Sequence, residues 1–493
     1  MLQYFLSAIL ALLAVSGPRQ ARVQEILRSE PALKGAQVSI LAVRSGRDTL
    51  VAVNPDQRCV PASNMKLLTS GTALRTLGAG FRFETTLAYS GEVRDSVLRG
   101  DLYIVGGADP TLGSPYRSCT PADTLFRRWT GLVKAAGISR IDGRVIGDAR
   151  WLDGQGESPS WCYEDLGADY GAGPTGLNFH RNVLDVDIVP GLSTGERILA
   201  VARYPGLPKI RLSSTAVTSP AGCGDELYLC NTDLAPAAQL RGSYSADRPA
   251  KTMHCSNRFA ALSCAGLFRR ALEEAGITVL GSYADISPDG MLRDEAAFPE
   301  GIPAPCDSLT RLGSTFSPRL GTILRDLNHE SDNFYAETLL RTVGKTITGS
   351  ACYDSSQVAV KSVLKGMGLD TRPIRIEDGS GLSRKNFVPA SFFVSFLGKM
   401  AVCPESKTFI SSLPGPGAGT LSMFLRSAPE SVRQRIRMKS GSMGGVRCYS
   451  GYVLPENGPS EDAVVFSVLV NDVVVPGRAA AKAVEKIILE IAR

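Results

Sequence analysis

In Pro61-Ala62-Ser63-Asn64-Met65-Lys66-Leu67-Leu68-Thr69-Ser70-Gly71-Thr72-Ala73-Leu74-Arg75-Thr76-Leu77-Gly78, the residues Met65, Leu68, Leu74 and Leu77 recur at helical spacing until Gly78 stops the run. Ser63 then falls in the first turn of a helix, where free backbone N–H groups and the macrodipole favour negative charge. Positions three apart share one helix face, which brings the Lys66 amine within reach of the Ser63 hydroxyl. Desolvation and nearby cations lower the pKa of a buried lysine, so Lys66 can act as the base that activates the serine. On its own, S-x-x-K is more often a helix cap followed by a solvated lysine.

Two further triplets change that balance. Ser331-Asp332-Asn333 lies between helical stretches around Leu320–Leu327 and Tyr335–Val343. At such a bend, Ser331 and Asn333 can face one cleft, the hydroxyl relaying a proton to a leaving amine and the amide holding a substrate carbonyl. Capping of the second helix by Ser331 or Asp332 is the plainer reading, but it leaves Asn333 unexplained. Lys439-Ser440-Gly441 opens a strand that continues into Ser442. Gly441 has no side chain and lets a peptide approach the strand edge as an added strand. Lys439 offers positive charge to a carboxylate, and Ser440 and Ser442 offer hydroxyls. Backbone N–H groups of Ser63 and Ser442 are expected to form an oxyanion hole.

The order S-x-x-K, S-x-N, K-[ST]-G is the signature of active-site serine enzymes that attack D-alanyl-D-alanine amides or β-lactams. With it, the chain resembles the class C low-molecular-mass penicillin-binding proteins, the D-alanyl-D-alanine carboxypeptidase/endopeptidase family. Further segments match that family across nearly the whole mature chain. They are Gly106-Gly107-Ala108-Asp109-Pro110-Thr111-Leu112, Asp378-Gly379-Ser380-Gly381-Leu382-Ser383-Arg384, Ser412-Leu413-Pro414, Gly419-Thr420-Leu421 and Gly451-Tyr452-Val453. Ser440 departs from the usual threonine but keeps the hydroxyl, and Gly417-Ala418-Gly419 is shorter and more flexible than the family pattern.

The resemblance implies an α+β fold, an α/β sandwich in which an antiparallel sheet is flanked by helices. More than half of the chain separates Ser63 from Ser331. A minimal catalytic domain needs far fewer residues there, so an insertion of domain size interrupts it. The expected plan is a signal peptide over 1–17 and a catalytic domain from 18–83 and 306–493. The insertion, mostly β, covers 84–181 and 246–305, with a smaller subdomain over 182–245 nested in it. Expected strands include Gln37–Val43, Thr49–Val53 (a hairpin around Ser45-Gly46), Val183–Val189, Arg197–Ala202, Ala463–Val470 and Val473–Val475. Expected helices include Gln24–Ser29, Phe259–Ala275 and Ala479–Ile491.

Composition suits an exported globular enzyme, with 493 residues, 44% hydrophobic content and a formal charge of only +6. Tyr4–Val15 is an apolar run followed by small residues, too short for a typical membrane span, and it lacks a basic n-region. Eleven cysteines suit an oxidising compartment, and their odd number leaves at least one outside any intrachain pair. Cys223 and Cys230 bracket a short segment and form the expected pair. No C-x-x-C spacing supports zinc, and His180, His254 and His329 are scattered, as structural or surface residues are. Gly191-Leu192-Ser193-Thr194-Gly195 fits the nucleophile-elbow pattern but joins two strand-like runs, so it reads as a hairpin turn. Gly344-Lys345-Thr346 lacks the first glycine of a phosphate loop, since Leu339 stands there.

By resemblance, then, the chain is a serine-type peptidase of peptidoglycan stem peptides and cross-links, acting by an acyl-enzyme without metal or organic cofactor. β-Lactams are expected as covalent inhibitors and nucleic acid is not expected as a partner; the location is periplasmic or secreted. The resemblance also gives Asp165 a role, pairing with the side-chain amine of the peptide's diamino acid, with Tyr170 as a flanking aromatic wall. The plainer reading makes both surface-loop residues. Other readings of the chain are a serine β-lactamase or esterase on the same fold, and a catalytically silent wall-binding protein. A β-lactamase is disfavoured by the insertion and by the lack of a clear second carboxylate for deacylation. Silence is disfavoured by the retention of all three motifs.

Overall fold

The computed structural model describes residues 17–44, 48–204, 211–235, 237–294, 301–305 and 308–493. Most of the expected signal peptide (residues 1–16), the expected turn at Ser45-Gly46 and Cys306 lie outside them. The chain divides into two compact units, the first from residues 1–80, 320–343 and 357–493, the second from residues 81–319 and 344–356.

The first unit is a five-stranded antiparallel sheet with helices. Its strands are β1 (Gln37–Arg44), β2 (Asp48–Val53), β3 (Ile436–Met443), β4 (Val446–Val453) and β5 (Val464–Asn471), in the order β2-β1-β5-β4-β3. Its named helices are α1 (Pro18–Ser29), α2 (Met65–Leu77), α3 (Leu320–Glu330), α4 (Asn333–Thr348, of which residues 333–343 fall in this unit), α5 (Ala390–Ala401) and α6 (Gly477–Ala492). Ile40, Phe466, Val468 and Val470 of the sheet share one buried cluster with Val23 of α1 and Val484, Ile487, Ile488 and Ile491 of α6. This is the α+β sandwich expected from the sequence. Helix α2 is its central element, with every residue from Met65 to Leu74 buried. Gly71 allows that depth, because a Cβ there would overlap the Phe396 ring of α5. Chain order puts the K-S-G strand β3 at the sheet edge, where one row of its peptide groups is left outside the ladder.

The second unit holds a seven-stranded mixed sheet in which Leu102–Val105, Val145–Asp148 and Tyr283–Ile286 run parallel. Helices Ala122–Ala135 and Ala260–Glu274 bring Phe126, Trp129 and Phe268 together with Phe179 in one aromatic cluster. Strand Thr310–Phe316 pairs with Glu84–Tyr89, so this stretch belongs with the second unit, where the sequence reading had placed it in the catalytic domain. A smaller β cluster with its own core runs from Val183 to Ser256, because Lys251–Ser256 returns to pair with Val183–Val189.

Three expectations are corrected. Val473–Val475 is not strand; Asp472 adopts a left-handed φ of 59°, turning the chain off the sheet toward α6. Cys223 and Cys230 are both free thiols. Cys230 sits in a strand opposite Gln239 with its thiol against the Tyr163 hydroxyl, while Cys223 is exposed in a turn. The strand after the Gly191–Gly195 loop begins at Leu199, two residues later than expected. That loop does join two antiparallel strands, and Gly344-Lys345-Thr346 lies inside α4.

Candidate active site

Ser63 occupies a 3₁₀ turn, Ala62–Asn64, that runs directly into α2. Ala62 takes a φ of 45°, a costly conformation for a residue with a side chain, and such outliers persist only where packing over-determines them. Two glycines supply that packing. A Cβ on Gly381, itself at a φ of 84°, would overlap the Ala62 carbonyl oxygen. On Gly441 of β3 it would lie 2.7 Å from the Pro61 carbonyl oxygen, 2.9 Å from Asn64 N and 3.0 Å from Ser63 N. The sequence reading reserved that space for an approaching substrate. In the structure, the chain's own turn at residues 61–64 fills the space a Cβ on Gly441 would take.

Gly441→Ala must therefore displace backbone, with no flexible side chain to give way. Misplacement of a reacting group by about 1 Å can cost about 10²-fold in rate. Penicillin acylation is expected to slow roughly ten- to a hundredfold. Stopped-flow labelling measures it, and a wild-type rate would show that the turn tolerates the methyl.

The three motifs converge on two buried amines. Lys66 Nζ donates to Ser63 Oγ at 2.9 Å, Asn333 Oδ1 at 2.6 Å and the Ser380 carbonyl at 2.7 Å. Lys439 Nζ donates to Ser331 Oγ at 3.0 Å and to the Ser440 carbonyl at 2.7 Å. Both lysines are fully buried, whereas Ser63, Ser331 and Asn333 are half-buried and Ser442 is exposed. Burial pushes the Lys66 ammonium down to about 8 against the opposing pull of Asp378, Glu337 and Asp332. Burial, then the neighbouring Lys66, pushes Lys439 well below the ordinary lysine range. An amine so placed is fitted to pass a proton to and from Ser331. The sequence reading gave Lys439 two parts, charge for a substrate carboxylate and, with Ser331, passage of a proton to the leaving group, and its burial and bond to Ser331 favour the second. The Ser440 hydroxyl is 2.8 Å from Thr420 Oγ1.

Local sequence explains the bend that carries Ser331 and Asn333. Helix α3 ends at Glu330, Ser331 takes a left-handed φ of 57°, and α4 starts at Asn333. Asp332 Oδ1 accepts the Tyr335 N–H at 2.9 Å, an N-cap bond. The capping role thus falls to Asp332, leaving its neighbours on both sides to face the lysines.

Sequence reasoning missed a group beneath Lys66. The fully buried Glu337 accepts the Ser380 N–H at 2.7 Å and the Gly379 N–H at 3.0 Å. Asp378 accepts the N–H groups of Gly381 at 2.9 Å and Ser383 at 2.6 Å, and Nδ2 of Asn386 at 2.7 Å. The Thr69 hydroxyl of α2 donates to the Gly379 carbonyl at 2.6 Å. The available signal was spacing, since Glu337 stands four residues after Asn333 on one helix face.

Asp165 and Tyr170 lie in the second unit, in the short turns Tyr163–Asp165 and Asp169–Gly171. The structure brings them together, the Tyr170 hydroxyl donating to Asp165 Oδ1 at 3.2 Å. Burial, then Asp165, pushes the Tyr170 hydroxyl up to about 12, which keeps it a donor at neutral pH.

Comparison with known proteins extends over nearly the whole chain. The family model for the D-Ala-D-Ala carboxypeptidase 3 (S13) family matches residues 19–493. The chain is 31% identical over 490 residues to a D-alanyl-D-alanine carboxypeptidase of Actinomadura sp. (strain R39), covering 94% of this chain and 84% of the relative. It is 23% identical over 445 residues to the D-alanyl-D-alanine carboxypeptidase DacB of Haemophilus influenzae, covering 88% and 85%. Among solved structures, penicillin binding protein 4 of Haemophilus influenzae matches with a TM-score of 0.78 and 21% identity, covering 95% of this chain and 97% of the other.

Proposed function

This chain belongs to the D-Ala-D-Ala carboxypeptidase 3 (S13) family, and from that premise we propose how its residues carry out the reaction. It is a serine-type D-Ala-D-Ala carboxypeptidase, a low-molecular-mass penicillin-binding protein. The observation that carries the assignment of roles is the 2.9 Å hydrogen bond between Ser63 Oγ and a buried Lys66. Lys66 takes the hydroxyl proton as Ser63 Oγ bonds to the carbonyl carbon of the penultimate D-Ala. The negative oxygen that forms is received by backbone N–H groups at Ser63 and Ser442. Collapse breaks the C–N bond, and the leaving amine takes a proton through Ser331 and Lys439. Water then attacks the ester and frees Ser63. A β-lactam follows the same course up to the ester, but its amine stays tethered after ring opening.

Peptidoglycan is the substrate class. An endopeptidase differs only in the amine that leaves, so the same five residues, Ser63, Lys66, Ser331, Asn333 and Lys439, also serve cross-linked peptides. Work on wall peptides supports a location outside the cytoplasmic membrane, and our reading is periplasmic or secreted, with 1–17 as the expected signal peptide. The test is acylation with a fluorescent penicillin followed by mass spectrometry of the labelled peptide. Recovery of the adduct on any serine other than Ser63 would overturn the assignment.

Substrate reading is assigned to Asp165, supported by its carboxylate and the adjoining Tyr170 hydroxyl. Exposed ion pairs are worth about 0–1 kcal/mol and truncation of desolvated ones costs about 2–5 kcal/mol. Asp165 is half-buried, so Asp165→Asn is expected to lower kcat/KM roughly tenfold for wall peptides with a free side-chain amine. Penicillin acylation should stay near wild type. Matched peptides with free and acetylated amines make the comparison, and a wild-type enzyme that treats them alike would remove Asp165 from the site.

A further inference from the structure

Lys66 rests on three acceptors, and one of them, the Ser380 carbonyl, belongs to a loop with no chemistry of its own. Every peptide group leading to that carbonyl is pinned. The Gly379 and Ser380 N–H groups point to Glu337, the Gly379 carbonyl takes the Thr69 hydroxyl, and the Gly381 N–H points to Asp378. The loop also lies hard against α4, since a Cβ on Gly379 would come within 2.8 Å of the Ala336 carbonyl oxygen and 2.9 Å of Leu340 Cβ. Glu337 follows Asn333 by one helical turn, so α4 supports Lys66 twice, directly through an amide and indirectly through this carboxylate.

We propose that Glu337 is a positioning residue for acylation, holding the Ser380 carbonyl against Lys66 and placing a negative charge beneath the ammonium that forms there. The proposal rests on the Ser63–Lys66 reading above. As Ser63 Oγ bonds to the carbonyl carbon, its proton moves to Lys66 Nζ and the carbonyl π electrons move to oxygen. A full positive charge then appears on a side chain with no access to water. In such surroundings a nearby carboxylate is worth far more than at the surface. Glu337 accepts from two peptide N–H groups with both of its oxygens, the arrangement of a carboxylate. Burial, then Asp378, pushes its carboxyl up to about 7, so it carries its charge over the alkaline range in which the acylation plateau is read. The charged groups acting on Lys66 are, largest first, Asp378 from the loop, Glu337 of α4 and Asp332 at the α4 cap, with Lys439 of β3 beside them. Asp332 is tied to the helix cap. Asp378 accepts the Gly381 N–H of the peptide that carries the Ser380 carbonyl and also bonds Ser383 and Asn386, while Glu337 from α4 holds the two peptides that precede that carbonyl.

The consequence has a sign. Removing the Glu337 charge makes Lys66 a weaker base that is neutral over a wider pH range. Glu337→Gln should lower the high-pH plateau of the penicillin acylation rate at least about tenfold and move its midpoint to lower pH by about one unit. Glu337→Asp keeps the charge with a shorter reach, so the plateau should fall while the midpoint stays. Rates are normalised to the end-point labelling stoichiometry, which counts only competent protein, and folding is followed by thermal melts. If Glu337→Gln yields no competent protein, the midpoint of Glu337→Asp decides alone. A wild-type midpoint in Glu337→Gln, or an acid-shifted midpoint in Glu337→Asp, overturns the proposal. Wild-type protein that labels away from Ser63 instead removes the underlying assignment, a separate outcome read from the modified peptide.

Discussion

Ser63→Ala is expected to abolish both penicillin labelling and release of D-alanine, with the fold intact. Ser63 supplies a half-buried hydroxyl at the start of α2 that is hydrogen-bonded to the fully buried Lys66 amine. Deleting the nucleophile of a serine peptidase costs on the order of 10⁶-fold in kcat, because the base and the oxyanion donors have nothing left to act upon. The methyl group removes one acceptor from Lys66, but Asn333 and the Ser380 carbonyl still hold it. Melting temperature should therefore change little, which separates loss of chemistry from loss of structure. The measurement is labelling by fluorescent penicillin together with turnover of a D-Ala-D-Ala peptide. Residual labelling above a few per cent of wild type would mean that another nucleophile works in this cleft.

How far the sequence reaches can be judged from particular residues. Ser63 and Lys66 were legible because a one-turn spacing on a helix is local, and local geometry survives folding. The sandwich was legible from the order of the motifs and from the resemblance they carry. Asn333 became legible only by contrast, since capping explained Asp332 and left its neighbour over. What escaped was contact between segments distant in sequence. Gly441 looked like room for a ligand because nothing local shows that Pro61, Ser63 and Asn64 fill it. Lys439 was read as a cation for a substrate carboxylate because nothing local shows it buried against Ser331 and Lys66, where desolvation disfavours its charged form. Glu337 carried no signal beyond its spacing from Asn333, and its contacts are visible only once the 378–381 loop lies against it. Strand Thr310–Phe316 was assigned to the wrong unit for the same reason, since its partner Glu84–Tyr89 is more than two hundred residues away.

The companion expectation is that Lys66→Ala leaves a folded protein whose acylation is slower by about 10²–10⁴-fold, the range for loss of a general base. Only the neutral amine can take the Ser63 proton. With the Lys66 ammonium pushed down to about 8, wild-type acylation should rise with pH through that value and level off above it. At neutral pH a useful minority of molecules is already in the neutral form, which an ordinary lysine near 10.4 would not provide. In Lys66→Ala that inflection should disappear and leave a shallow profile set by hydroxide or by a less well placed base. The alanine also removes a buried amine, so Asn333 Oδ1 and the Ser380 carbonyl lose a shared donor. Leaving buried acceptors unpaired costs about 1–3 kcal/mol each, and some loss of melting temperature accompanies the loss of rate. Circular dichroism establishes that the variant is folded before its rate is read. A folded Lys66→Ala that acylates near the wild-type rate, or that retains an inflection near pH 8, would move the role of base to Lys439, the other buried amine of the site.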